Sequence, residues 1–282
     1  MKFIQILCFT LLTTYAYGQT LSNEVDSIYN FKPSKITENE KRRIGTVLDK
    51  FWEKVKNDTT RFLQQLRAEL QTNKHKPFFY YDGSSLLLSL TNSIADKELA
   101  IEAIAKCDVD DISREIYVKT LNRLANEGFN VTKPSIKILY EDNFSFFIPQ
   151  HAMTFNQGYC LTYLLLPQKN VNYVDTLIKI FASVKPEAQE SIITTLWFDC
   201  TCKGDQFLNS IYADTKIDKS VREYAKKIMG YKLREHQQEY VNAMSKDQLD
   251  SLRKEVLTLF SDEAIGLLDL TTRARRKENK CP

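Results

Sequence analysis

The chain has 282 residues, 43% of them hydrophobic and 27% charged, a balance that excludes a disordered or fibrous protein. Only 8 glycines and 7 prolines are present, too few for the many turns of a sandwich, a barrel or a Gly-rich phosphate-binding fold, so the composition points to helices. The formal charge of +3, from 39 basic and 36 acidic residues, is too even for a dedicated nucleic-acid binder.

Residues 1–18 read as a secretory signal. Lys2 supplies the positive start, Phe3 to Leu12 is apolar apart from Gln5 and Thr10, and Ala16 and Gly18 occupy the −3 and −1 positions of a cleavage site. The mature chain then begins at Gln19. No other stretch reaches the roughly 18 apolar residues that span a bilayer, so no transmembrane segment is expected. The expected location is periplasmic or extracellular, where disulfides persist. The mature cysteines are Cys107, Cys160, Cys200, Cys202 and Cys281, an odd and sparse set that cannot be the main source of stability. Cys200 is expected to complete the apolar face of its helix and Cys202 to lie in the following loop. A bridge from Cys202 to Cys160 or to another cysteine is the alternative, with Cys281 left unpaired.

In chain order, residues 19–36 are a polar lead-in and residues 37–272 a helical-repeat domain. Thr37 and Glu40 form a capping box ahead of an apolar stripe through Ile44, Val47, Leu48, Phe51, Trp52 and Val55. Asn57-Asp58-Thr59 breaks that helix, and Phe62, Leu63, Leu66 and Leu70 define the next. Within 77–90, Asp82-Gly83 is a turn signal, which places a helix start near Ser84. Helical patterns follow at 96–106 and at 111–126, the latter through Ile112, Ile116, Leu121, Leu124 and Ala125 and closed by Gly128. Phe144, Phe146, Phe147 and Ile148, before Pro149, fit either a short extended segment or a helix end. Buried helices are expected again at 154–166 and 172–183.

The most specific pattern lies at 185–230. Pro186 opens a helix with the stripe Ile192, Ile193, Leu196, Trp197 and Cys200; a shorter helix with Phe207, Leu208 and Ile211 follows. Asp218, Val221-Arg222 and Ala225 come next, running on to Ile228 and Gly230. This pattern resembles a HEAT repeat, with its Asp, Val-Arg and following Ala and a Pro at the helix start. Ala188 and Ala225 stand 37 residues apart, close to one such repeat. The match covers about 45 residues well, and the chain also resembles secreted bacterial α-helical proteins. The resemblance implies an all-α fold, either a HEAT-like α-solenoid or an irregular array of antiparallel helix pairs, in which neighbours bury one another's apolar faces. Leu249, Leu252, Val256, Leu259 and Phe260 would make the capping pair with residues 264–270. Residues 273–282 read as a solvated basic tail.

Enzyme signatures are absent from the sequence: there is no phosphate loop, no dinucleotide fingerprint, no H-E-x-x-H and no nucleophile elbow. His75, His151 and His236 are widely separated, and Cys200-Thr201-Cys202 lacks zinc or redox spacing, so no metal and no cofactor are expected. The best candidates for ligand binding are Tyr80, Tyr81 and Asp82 in the run from Phe78, together with His151 after Pro149-Gln150. Exposed tyrosines beside a carboxylate and an imidazole can hold a sugar or a peptide. The competing reading makes Phe78 and Phe79 a hydrophobic staple and His151 a core residue. No residue stands out as catalytic. The expected role is an exported, non-catalytic scaffold or adaptor that binds a protein or peptide on the concave face of a helical array. The alternative is an envelope hydrolase with a site near Tyr81, Asp82 and His151.

Overall fold

Asp58 opens the first full helix in the computed structural model, which describes Glu53 and residues 57–73, 77–107, 114–148, 153–168, 172–230 and 235–278. The leader 1–18, the lead-in 19–36, the capping box at Thr37 and the stripe from Ile44 to Val55 lie outside these residues. Among them the fold is all-α: thirteen α-helices and a single two-stranded hairpin, divided into two units on either side of Asp111.

In the first unit, α1 (Thr59–Gln71) begins where the Asp58 carboxylate accepts from the Arg61 N–H at 3.1 Å. It buries Phe62, Leu66 and Leu70 against α2 (Pro77–Leu90) and α3 (Ile94–Ile104). Helix α2 runs straight through Asp82-Gly83, so the turn expected there does not form and the helix starts seven residues before Ser84. Packing overrides the local turn preference. A Cβ on Gly83 would stand 2.8 Å from Leu70 Cδ2 and 3.4 Å from Leu66 Cδ1, so the bare glycine lets α2 lie directly on α1. Ser84 is not a cap; its buried hydroxyl donates to Tyr80 O at 2.5 Å, within its own helix. Asp96, in the first turn of α3, is buried and takes two hydrogen bonds from Arg67 of α1, at 2.7 and 2.9 Å.

The second unit is built around one helix. Its elements are α4 (Arg114–Asn126), the short α5 (Thr132–Ser135), β1 (Ser145–Ile148), β2 (Met153–Asn156), α6 (Gln157–Leu165) and α7 (Tyr173–Ile180). They continue with α8 (Pro186–Asp199), α9 (Cys202–Ala213), α10 (Lys219–Met229), α11 (Glu235–Asn242), α12 (Lys246–Val256) and α13 (Asp262–Glu278). Helix α8 has Pro at its first position, where the missing N–H costs nothing. Every residue from Ser191 to Phe198 is buried, because α6, α9, α10 and α13 all pack on it. Two of its hydroxyls are satisfied inside the helix: Thr194 and Thr195 donate to the carbonyls of Glu190 and Ser191 at 2.9 and 3.0 Å. Cys200 ends α8 in the left-handed region (φ 60°), and Thr201 caps α9 by accepting from Gly204 N–H at 3.2 Å. Ala188 and Ala225, the repeat positions, are both buried, on α8 and α10, which pack together.

The extended alternative at 144–148 is the one observed. β1 pairs antiparallel with β2, Phe146 opposite Phe155, and the alternation buries Phe146, Ile148, Met153 and Phe155 while Phe147 and Thr154 face outward. The strand delays α6 to Gln157, three residues later than expected, with Asn156 as its cap. Ser245 and Gln248 make a complete capping box on α12. Helix α13 carries the chain back to α8 and continues to Glu278, and residues 273–276 are buried or half-buried on it, not a solvated tail. Arg273 is bound bidentately by Asp269 one turn back, at 2.6 and 2.8 Å, and Arg276 reaches the carbonyls that end α8.

Candidate functional site

Tyr80 and Tyr81, expected at a surface turn, are core residues at 3% and 5% exposure. The Tyr80 hydroxyl donates to Thr72 O at 2.8 Å, and the Lys106 ammonium sits 4.9 Å from its ring centroid. Both tyrosines turn inward because Asp82-Gly83 is mid-helix. The Asp82 side chain and His151 lie outside the described residues, as do His75 and the side chain of His236. The bridge from Cys160 to Cys202 does not form: Cys160 is a free thiol buried in α6, while Cys202 is disulfide-bonded to a partner outside the described residues. Burial pushes the Cys160 thiol well above its ordinary pKa, so it stays protonated, with Phe155 O 3.7 Å away as its acceptor. Cys200 is buried as expected, completing the face of α8. Among the described residues no group of three or more His, Cys, Asp or Glu is placed to hold a metal ion.

A concave feature of the second unit lies along α8. A groove of about 650 Å³ is walled by Glu187, Glu190, Ser191 and Thr194 of α8, by 139–145 and by 154–158, with Tyr224 of α10 at one end. Two local devices shape it. Gly158 faces Thr194, and a Cβ there would stand 3.2 Å from Thr194 Cβ, so the glycine sets how closely α6 approaches α8. Gln157 is a three-way clamp: its amide donates to Ile138 O at 2.5 Å and Glu141 O at 3.2 Å, and its carbonyl accepts from Ser191 Oγ at 2.8 Å.

The walls are acidic. The described lining carries Glu141, Asp142, Glu187 and Glu190, and the cation Lys185, which pairs with Asp142. Glu187 and Glu190 are one turn apart on α8, and neither makes an ion pair among the described residues. Burial, and then the neighbouring Glu187 charge, push the Glu190 carboxyl above its ordinary pKa.

Past the contact between Thr194 Oγ1 and the Tyr224 hydroxyl, at 2.7 Å, a second pocket of about 290 Å³ continues along the same helix. Tyr159, Trp197, Phe198, Tyr224 and Ile228 make its walls largely aromatic, with Lys227, Asp269 and Arg273 at the rim. Burial raises the Tyr159 and Tyr224 phenols, which therefore remain neutral. Trp197 is 6% exposed, and its indole N–H has no hydrogen-bond partner among the described residues. The helical stripe 187, 190, 194, 197 thus joins an acidic groove to an aromatic pocket. The sequence carried one trace of this: a buried helix with Ser191, Thr194 and Thr195 among its apolar residues. No protein-family model, no curated protein and no solved structure matches the chain.

Proposed function

We propose that this chain is an exported, non-catalytic scaffold or adaptor, HEAT-like in its helical plan, that holds an extended segment of a protein partner in the groove along α8. The observation that carries the reading is adjacency: two solvent-open pockets share Thr194 and Tyr224 and follow one another along a single buried helix. Such a run of pockets suits a linear segment with side chains set at intervals, and its α8 wall is held by the helices packed on that element. The exposed outer face of the hairpin, with Phe147 opposite Thr154, adds an apolar shoulder beside it. The Cys202 disulfide supports export, because such bonds persist in oxidising compartments.

The test is selection from a random peptide display library on the purified chain, run in parallel on Thr154→Trp. Thr154 is exposed on β2 and lines the groove, so an indole there fills it without touching the core. Peptides retained by the wild type and lost on Thr154→Trp support the reading. A library from which the two proteins retain the same peptides, or none, overturns it.

A further inference from the structure

The two pockets differ in chemistry, and the difference specifies the occupant. At the acidic end Lys185 pairs with Asp142 and also feels the Glu187 charge, while neither Glu187 nor Glu190 makes an ion pair among the described residues. Two carboxylates one turn apart, one of them half-buried, favour a cation brought by a ligand. At the other end the walls are aromatic, with Tyr159, Trp197, Phe198 and Tyr224 around one pocket. A ligand ring seated there would pack against these side chains.

Helix geometry sets the spacing. From Glu190 to Trp197 is seven residues, or roughly 10 Å along the axis at 1.5 Å per residue. An extended chain covers that distance in about three residues. We infer that the groove selects protein segments in which a lysine or arginine stands about three residues from an aromatic side chain, the cation on Glu187 and Glu190 and the ring in the Tyr159–Trp197–Tyr224 pocket. The inference rests on the groove reading above and adds the identity of the segment.

The same display library tests it on wild type and on the double variant Glu187→Gln, Glu190→Gln, which keeps shape and removes only charge. Wild type should enrich peptides with a basic residue about three positions from an aromatic one. The double variant should keep the aromatic preference and lose the basic one, and the retained aromatic preference shows that it is folded. For a selected arginine peptide, exchange of arginine for the neutral isostere citrulline should weaken binding to wild type by about tenfold and leave binding to the double variant unchanged. Peptides lost on Thr154→Trp but showing no basic excess, or a basic excess that persists on the double variant, overturn this inference and leave the groove reading standing. An empty selection removes both.

Discussion

Arg276 sits over Trp197, its guanidinium carbon 4.0 Å from the indole centroid, and donates to the carbonyl oxygen of that same residue at 2.7 Å. The guanidinium also reaches Leu196 O and pairs with Asp205 of α9. From α12, Arg253 donates to Phe198 O and to Thr272 Oγ1. Two arginines brought back from the C-terminal helix pair therefore satisfy three consecutive carbonyls where α8 ends, and their charges oppose the negative end of its dipole. Both pockets are formed on a helix that the C-terminal pair finishes.

Arg276→Ala should consequently lower stability by about 2–4 kcal/mol, since it strips charged hydrogen bonds from buried carbonyls and breaks the ion pair with Asp205. Arg276→Lys should recover only part of this, because an ammonium cannot fork to two carbonyls while sitting over the indole. Denaturant midpoints for the three proteins check it; a wild-type midpoint for Arg276→Ala would show that the tail does not hold α8.

Trp197→Ala should cost about 3–5 kcal/mol, the lost burial plus the cavity left beside Phe198 and Arg276. Its burial was legible in the sequence from the stripe Ile192, Ile193, Leu196, Trp197. An urea titration that places the variant within 1 kcal/mol of wild type, roughly the scatter of surface substitutions, would contradict the packing.

Acid should weaken the first unit through one pair. The Arg67 guanidinium, followed by Ser93 and Thr91, holds the Asp96 carboxyl well below the ordinary carboxylate range against the opposing effect of burial. The folded pKa is depressed, so the stabilisation is complete above the unfolded value near 3.9 and is lost as pH falls below it. The half-exposed Arg67 is partly screened, which limits the loss to about 1–3 kcal/mol. Asp96→Asn should be less stable than wild type at pH 6, with the gap narrowing by pH 3. A gap independent of pH, read by circular dichroism in denaturant, would remove the charge from the explanation.

The legible part of the fold was what repeats every 3.6 residues: α3, α4, α7, α8 and α10 lie close to where their apolar stripes placed them. Two local signals misled. Asp82-Gly83 has turn chemistry, yet Leu66 and Leu70 need a residue without a Cβ against them, and tertiary packing decided in favour of the helix. Arg273 to Arg276 have the composition of a solvated tail, but their partners, Asp269, Asp205 and the end of α8, include groups some seventy to eighty residues away. The groove was not legible for the same reason: its walls come from 139–145, 154–158, 185–194 and Tyr224, and no local pattern announces their meeting. Tyr80 and Tyr81 were conspicuous because they are core.

Cysteine chemistry gives the last expectation, since the structure assigns opposite states to two residues that the sequence could have joined. Cys160 is fully buried, and burial holds its thiol protonated; Cys202 sits exposed at the start of α9 and is oxidised. A thiolate is the reactive species, so Cys160 should resist alkylation in the native protein and react fully once denaturant exposes it. Cys160→Ser should then remove one thiol from the total titrated in denaturant. Cys202→Ser should instead add one, because the partner of its disulfide is released. If Cys160→Ser also raised the count, the two cysteines would be bonded to each other and the inner face of α6 would be wrong. Thiol titration of both variants with and without denaturant separates the outcomes.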